Sequence, residues 1–397
     1  MAEWIECSIG DLCNTISDTY KGDDEHVVLV NTSDVLEGKV LNHEIVVNKN
    51  LKGQFKKTFK KDDILYSEIR PCNKRFAYID FENTSNYIAS TKLMVLRHND
   101  KVLPEYLFAL LKSNYVIDEL QHLAETRSGT FPQITFSSEL APMKVFLPDK
   151  DTQKRIVSIL SSIEQKIDEN TAINNNLEQQ IEAVLLSFIE NTNSNDVKLG
   201  DYLYIKGRIG WKGLKKEEYL EHSDYRIING ESLTKAGIDW SKAGYISQAR
   251  YYESPEIMLQ SGDILLSKDG TIGKIGYIDS LSTPTTVASG IFVIRNLQPN
   301  IISTTFIYYL LKSRLFTAFI AARTEGSVIP HLYQKDFMQF EFPLPDKEEM
   351  ANFEELTAPM FSLIVSNLNE NDRLMRIRDS LLPRLMSGEL DVSDIDL

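Results

Sequence analysis

Five short stretches combine Arg or Lys with Gly, Ser, Thr or Asn: "SEIRPCNKR" (Ser67–Arg75), "TRSGT" (Thr126–Thr130), "KGRIGWKGLKK" (Lys206–Lys216), "SKDGTIGK" (Ser267–Lys274) and "ARTEGS" (Ala322–Ser327). Loops of this kind bring backbone N–H groups close to phosphates, and Arg, Lys or Asn reach base edges from them. An ordinary solvated loop has the same composition. Together with Lys92, the stretches nominate Ser67, Arg70, Asn73, Lys74, Arg75, Lys92, Arg127 and Ser128 in the N-terminal half as DNA-binding candidates. In the C-terminal half they nominate Lys206, Arg208, Lys212, Lys268, Asp269, Thr271, Lys274, Arg323 and Ser327.

Bond-making chemistry finds no such foothold. "GTIGK" (Gly270–Lys274) hints at a phosphate-binding loop, but the residue five before Gly273 is Lys268, not Gly. Gly207, Gly210 and Gly213 recur every third residue, which is not GxGxxG. The chain has no Asn-Pro-Pro-aromatic motif, no GxSxG elbow and no HExxH. No Asp/Glu-x-Lys follows "LPDKD" at the end of a plausible strand, as a nuclease would need. The six histidines are scattered, and Cys7, Cys13 and Cys72 form no CxxC pair, so no metal is expected. The sparse cysteines point to a reducing cytoplasm. No apolar run approaches the 18 or so residues that span a bilayer, and "MAEWIECSIG" is no signal peptide. The pattern is that of a recognition protein without a catalytic site or bound cofactor.

A net charge of −14 argues against a nucleic-acid partner until its distribution is considered. Residues 1–148 carry −4 and residues 197–345 carry +2, whereas residues 149–196 and 346–397 carry −5 and −7. The acidity is concentrated in two segments, leaving near-neutral regions able to present a local basic face.

The chain is written twice. Leu-Pro-Asp-Lys occurs at 147–150 and at 344–347. Other pairs follow in the same order at nearly the same offset: "DDILYS" with "GDILLS", "FAYID" with "IGYIDS", "IASTKLMVLR" with "VASGIFVIR", "LFALLKSN" with "IYYLLKSR", and "ETRSGTFPQI" with "ARTEGSVIPHL". Collinear matches of this kind mark a tandem duplication. Each half opens with short alternating runs such as "HVVLVNTSDV" and "YRIINGESL", which read as strands. An amphipathic helix follows, "VLPEYLFALLKSN" or "ISTTFIYYLLKSR". The Pro of the Leu-Pro-Asp-Lys phrase then ends the last strand, and the polar residues after it open a helix.

After the first phrase, apolar residues from Ile156 to Phe188 fit a heptad over a helix of about 60 Å. Asn170 and Asn174 sit in its seam. The second copy places Asn367 and Asn371 at the same points, where buried Asn fixes register at a cost in stability. Each stripe needs a long partner, and the other copy is the natural one, antiparallel to it. Pro359 and the end "LLPRLMSGEL", with Pro383 and Gly388, predict a second helix that is shorter and kinked.

The expected fold is α+β: two pseudo-symmetric mostly-β domains separated by two long helices in an antiparallel coiled coil. The expected segments are 1–146, 147–192, 193–343 and 344–397. This organisation, with the motifs "FLPDKDTQKRIVSILSSIEQKID" (Phe146–Asp168), "GDILLSKDGTIGKIGYI" (Gly262–Ile278), "GDLCNTISD" (Gly10–Asp18) and "RDSLLPRLMSGEL" (Arg378–Leu390), resembles the specificity subunit of type I restriction-modification systems over the whole chain. The resemblance implies two target recognition domains, each reading one half of a split double-stranded DNA sequence. The helices would hold the half-sites about one helical turn apart. It also implies two methyltransferase subunits, which supply S-adenosylmethionine chemistry on a flipped adenine, and restriction subunits that use ATP and Mg. The setting would be bacterial or archaeal cytoplasm. The second copy departs from the first where Glu348-Glu349-Met350 replaces the stretch containing Gln153, and at Pro359. Two other readings stand beside this one: a catalytic fusion, against which the missing motifs argue, and an adaptor that holds protein partners through the acidic helices without reading DNA.

Overall fold

A computed structural model of the chain describes residues 4–22, 24–49, 53–127, 132–192, 194–324 and 331–392. They form two compact units, residues 1–166 with 374–397, and residues 167–373.

In the first unit, strand Leu93–His98 lies between Cys13–Ile16 and Ile64–Ser67, and the latter pairs with Phe76–Tyr78, all antiparallel. A second sheet runs Ile45–Val47, His26–Val30, Tyr87–Ser90, Phe55–Lys57, with one parallel pairing between His26–Val30 and Tyr87–Ser90. Successive side chains on a strand point to opposite faces. Ile64, Tyr66, Met94 and Leu96 accordingly enter one core, while Leu65, Leu93 and Val95 enter another with Val28, Val30 and Ala89. Burial on both faces is why "ILY" and "LMVL" read as unbroken apolar runs.

The second unit repeats the plan. Ile291–Asn296 lies between Leu203–Gly207 and Ile264–Ser267, followed by Ile275–Tyr277. Tyr225–Ile228 lies between Gly244–Ile246 and, in parallel, Thr285–Val287. Ile264, Leu266, Phe292 and Ile294 face one core, and Leu265, Ile291 and Val293 face another.

A buried ion pair repeats with the sheets. Asp63 is wholly buried and accepts Arg97 Nε and Nη2, both at 2.7 Å. Asp263 accepts Arg295 Nε at 2.7 Å and Nη2 at 2.8 Å. Each carboxylate also caps its own turn, accepting Lys60 N at 2.8 Å or Gln260 N at 2.7 Å. The preceding residue has positive φ in both copies, +69° at Asp62 and +89° at Gly262. Glycine and, less readily, aspartate take that conformation. Duplication has kept the turn while changing the residue.

Helix α1 (Pro104–Leu111) is followed by α2 (Asn114–Arg127) and α3 (Lys150–Asn191). Further on come α4 (Gln248–Tyr252), α5 (Thr304–Lys312), α6 (Arg314–Thr324), α7 (Gln334–Phe337) and α8 (Lys347–Met386). The sequence pattern showed α1 and α5 but not the helices after them. Ser113 and Ser313 separate each pair, and their hydroxyls accept Val116 N and Phe316 N, both at 3.4 Å. Only Val116, Ile117, Leu120 and Ala124 of α2 are buried, an apolar stripe too thin to stand out. Arg127 and Arg323 therefore belong to last helical turns rather than to loops.

Both long helices start at the repeated phrase. Strand Lys144–Leu147 pairs with Ile5–Ser8, and Glu341–Pro343 pairs with Asp196–Lys198. Asp149 Oδ1 then accepts Thr152 N at 2.8 Å, a bond that holds this carboxyl below its ordinary range. Asp346 Oδ1 accepts Glu349 N at 2.9 Å, and Glu349 Oε2 accepts Asp346 N at 2.8 Å, closing a capping box.

Helix α8 is neither short nor interrupted. It has 40 residues against 42 for α3 and continues through Pro359 and Pro383. Each proline removes one N–H donor. Both prolines are exposed, as are Glu355 and Asp379 four residues earlier, so water can satisfy the freed carbonyls. The helix ends at Met386, and Gly388 just beyond it has φ +74°; a Cβ there would lie 2.7 Å from Trp4.

The seam asparagines cross. Asn170 Nδ2 donates to Asn371 Oδ1 at 2.9 Å, and Asn367 Nδ2 donates to Asn174 Oδ1 at 2.8 Å. Each asparagine thus pairs with the copy of the other one, the signature of an antiparallel pair with internal two-fold symmetry. Asn170 Nδ2 also reaches Glu370 Oε2 at 2.7 Å, and Asn174 Nδ2 reaches Ile364 O at 3.3 Å. The flanking cores draw on the same helices: Ile156, Leu160, Leu382 and Leu385 in the first unit, and Ile181, Phe353, Phe361 and Ile364 in the second.

Two stability outcomes follow. Arg97→Ala strands the buried Asp63 charge and is expected to cost about 3–5 kcal/mol in denaturant unfolding. Asn174→Ala is expected to cost about 1–3 kcal/mol. In a double-mutant cycle with Asn367→Ala, the double variant should lose less than the sum of the singles, by about 0.5 kcal/mol or more.

Candidate nucleic-acid interface

In the first unit the turn Ser67–Arg75 is shaped from within and braced from outside. Ser67 is buried, and its hydroxyl accepts Ile69 N at 3.0 Å and donates to Ile69 O at 3.3 Å. Ser267 repeats this, accepting Lys274 N at 2.9 Å and donating to Thr271 O at 2.7 Å. Ser67 is therefore a turn-former, a correction to its nomination as a DNA contact. Arg70 and Lys74 bracket a short 3-10 turn with φ of +44° and +52°. Strain of this kind persists only where neighbours hold it. Here Arg70 N donates to Pro132 O at 3.2 Å, and Cys72 N donates to Gln121 Oε1 of α2 at 3.2 Å.

The side chains of Arg70 and Asn73 are exposed. Lys74 Nζ is half-exposed, 3.9 Å from Glu37 Oε1. Arg75 is drawn inward, its Nη1 donating to Ser33 O at 3.0 Å and Val35 O at 3.3 Å. Lys92, on the neighbouring strand connection, donates to Gln133 Oε1 at 3.1 Å and lies 3.6 Å from Glu68 Oε2. Arg127 is exposed and donates to Glu139 Oε1 at 2.7 Å.

In the second unit Asp269 is exposed and bonded to His331 Nδ1. Lys268 is largely covered, its ammonium 5.3 Å from the Phe292 ring centre and 3.9 Å from Asp269 Oδ2. Thr271 is exposed, and Lys274 Nζ donates to Gly230 O at 2.9 Å. Lys206 is exposed, its ammonium 5.9 Å from the Tyr204 ring centre. Lys212 Nζ donates to Glu253 O at 2.6 Å, and Arg323 lies 3.7 Å from the Phe319 ring centre. Arg208 corrects its nomination. It is 3% exposed and donates to Val287 O at 3.0 Å and to Ser254 Oγ and Thr286 Oγ1 at 3.4 Å. Burial also pushes its pKa down. Ser128 and Ser327 lie outside the described residues.

The structure thus brings three segments together in each unit: the turn after the buried strand, the connection into the central strand, and the stretch that holds Gln133 or His331. Arg70, Asn73, Lys74 and Lys92 share the first assembly. Lys268, Asp269 and Thr271 share the second, which the sequence reading did not extend to His331 and Tyr333. Gln121 and Gln133 were missed in the first. The matched "FPQI" and "IPHL" of the repeat were the available signal for Gln133 and His331. Among the described residues no helix is long and apolar enough to cross a membrane. Stability should separate the two kinds of arginine. Arg208→Ala is expected to cost about 1–3 kcal/mol on thermal unfolding, and Arg70→Ala less than about 0.5 kcal/mol.

The model of the type I restriction modification DNA specificity domain matches residues 1–179 and again 191–358, one match per copy of the repeat. The type I restriction enzyme HindI specificity subunit of Haemophilus influenzae is 30% identical, over 98% of this chain and 100% of that protein. The MjaIX specificity subunit of Methanocaldococcus jannaschii is 25% identical, over 75% of this chain and 71% of that protein. The crystal structure of the type I restriction-modification system S subunit from M. genitalium has the same fold, with a TM-score of 0.53 at 18% identity over 97% of this chain and 96% of that one. The duplicated α+β halves, the paired long helices and both domain matches agree: this chain belongs to the family of type I restriction-modification specificity subunits, the non-catalytic recognition components of their complexes.

Proposed function

We propose that this chain reads a split double-stranded DNA sequence, with residues 1–146 on one half-site and residues 193–343 on the other. The segments 147–192 and 344–397 would serve as spacer helices. The observation that carries this reading is the same braced, polar three-segment assembly in both copies of the repeat. Arg70, Asn73, Lys74, Lys92, Lys206 and Arg323 would supply phosphate and base donors; Thr271 and Asp269 lie on the corresponding turn of the second copy. The crossed asparagines would hold the spacer's register.

Two methyltransferase subunits would dock on this scaffold and supply the S-adenosylmethionine chemistry, and restriction subunits would use ATP and Mg. None of these groups is assigned to residues of this chain. Ile173, Leu356, Leu363 and Leu368 of the long helices are exposed, an apolar surface suited to a protein partner. Work on cellular DNA by such a complex fits a bacterial or archaeal cytoplasm.

The test is binding of the chain, assembled with its methyltransferase partner, to duplexes at several salt concentrations. The logarithm of affinity should fall steeply with the logarithm of salt, by about 0.9 per neutralised phosphate. Joint substitution of Arg70, Lys74, Lys206 and Arg323 by Ala should lower that slope and weaken binding to all sequences. Unaltered binding by this variant would favour an adaptor that does not read DNA.

A further inference from the structure

Strand alternation singles out one residue in each half. Gln133 lies beside the turn through a bridge to Ile69, and His331 through a bridge to Asp269. Ile134 N then donates to Glu68 O at 2.8 Å, and Leu332 N donates to Lys268 O at 2.9 Å. Ile134 and Leu332 are buried in the cores of their units. Because neighbouring side chains on an extended segment point opposite ways, Gln133 and His331 face away from those cores on a fixed backbone.

Both side chains are held at one end and open at the other. Lys92 Nζ occupies Gln133 Oε1 at 3.1 Å, and Gln133 Nε2 has no partner among the described residues. Asp269 holds His331 Nδ1, leaving Nε2 for an external group. The Tyr333 ring packs edge-on at 4.4 Å and limits the tilt of the imidazole.

The orienting partner differs between halves in a compensating way. Lys92 and Gly290 occupy the same place, immediately before the strands Leu93–His98 and Ile291–Asn296. A Cβ at Gly290 would lie 3.6 Å from Asp269 Cβ. The first half thus orients its outward residue from the strand connection, and the second from the turn. A polar group pre-oriented by a neighbour and open on one edge is what direct readout of a base requires.

We propose that Gln133 and His331 are the corresponding base-reading positions of the two halves. Gln133 Nε2 donates to the N7 or O6 acceptor of a purine in the major groove. His331, with Nδ1–H held by Asp269, presents the Nε2 lone pair to the exocyclic amine of adenine or cytosine. The assignment rests on the reading of both halves as DNA-recognition domains.

The test uses the chain assembled with its methyltransferase partner and a pool of duplexes with randomised sequence. Gln133→Ala should lose about tenfold or more discrimination at a position in one half-site, and His331→Ala at a position in the other. The salt slope should stay within about one phosphate of the parent's. Gln133→Glu and His331→Gln keep side chains on the same backbone while changing their donors, and should alter the preferred base. Melting curves identify any variant that has lost its fold. Properly folded variants that all select the parent sequence would overturn the assignment, as would loss of discrimination in both halves together from one substitution. A parent complex with no sequence preference would instead remove the DNA-reading interpretation itself.

Discussion

The crossed amides of Asn170 with Asn371 and Asn174 with Asn367 impose the constraint on which the rest depends. A helix pair held only by apolar residues can slide by a turn with little loss. Four buried amides cannot, because a one-turn slip leaves their donors and acceptors unmatched in a place with little water. Register between α3 and α8 is therefore specified by a polar contact. The long helices in turn start from Asp149 and Asp346, just beyond the last strand of each half.

Within each half a second constraint fixes the polar turn after the buried strand. The buried aspartate, bonded to an arginine on the neighbouring strand, pins the start of the strand whose far end opens the turn. The serine at that far end closes the turn on itself. With both ends fixed, the residues between can vary without disturbing the fold. The two copies use this freedom: "EIRPCNK" in one is "KDGTIGK" in the other, on the same pair of strands. The turn thus changes its residues on a constant scaffold.

Much of this was legible in the sequence because duplication writes each structural requirement twice. The offset of the Leu-Pro-Asp-Lys phrase located both helix starts, and the four seam asparagines stood out against an apolar stripe. Other features were hidden for physical reasons. Helix α2 buries a narrow stripe among polar residues, α6 fully buries only Phe316 among its described side chains, and both follow a serine that reads as a turn. The prolines of α8 looked like breaks, yet they lie on its outer face. Arg208 had the composition of a surface contact, and only the structure shows three protein acceptors around it. Gln133 and His331 are single polar residues between apolar neighbours, and their significance depends on the turn residues they bridge to, Ile69 and Asp269.

The central claim is that one chain reads DNA in two separate pieces. Mapping every methylated adenine in the DNA of a cell that expresses this chain with its methyltransferase partner tests it most directly. The expected result is one motif of two short specified parts separated by a fixed unspecified gap. A continuous motif, or specified parts at variable spacing, would contradict it.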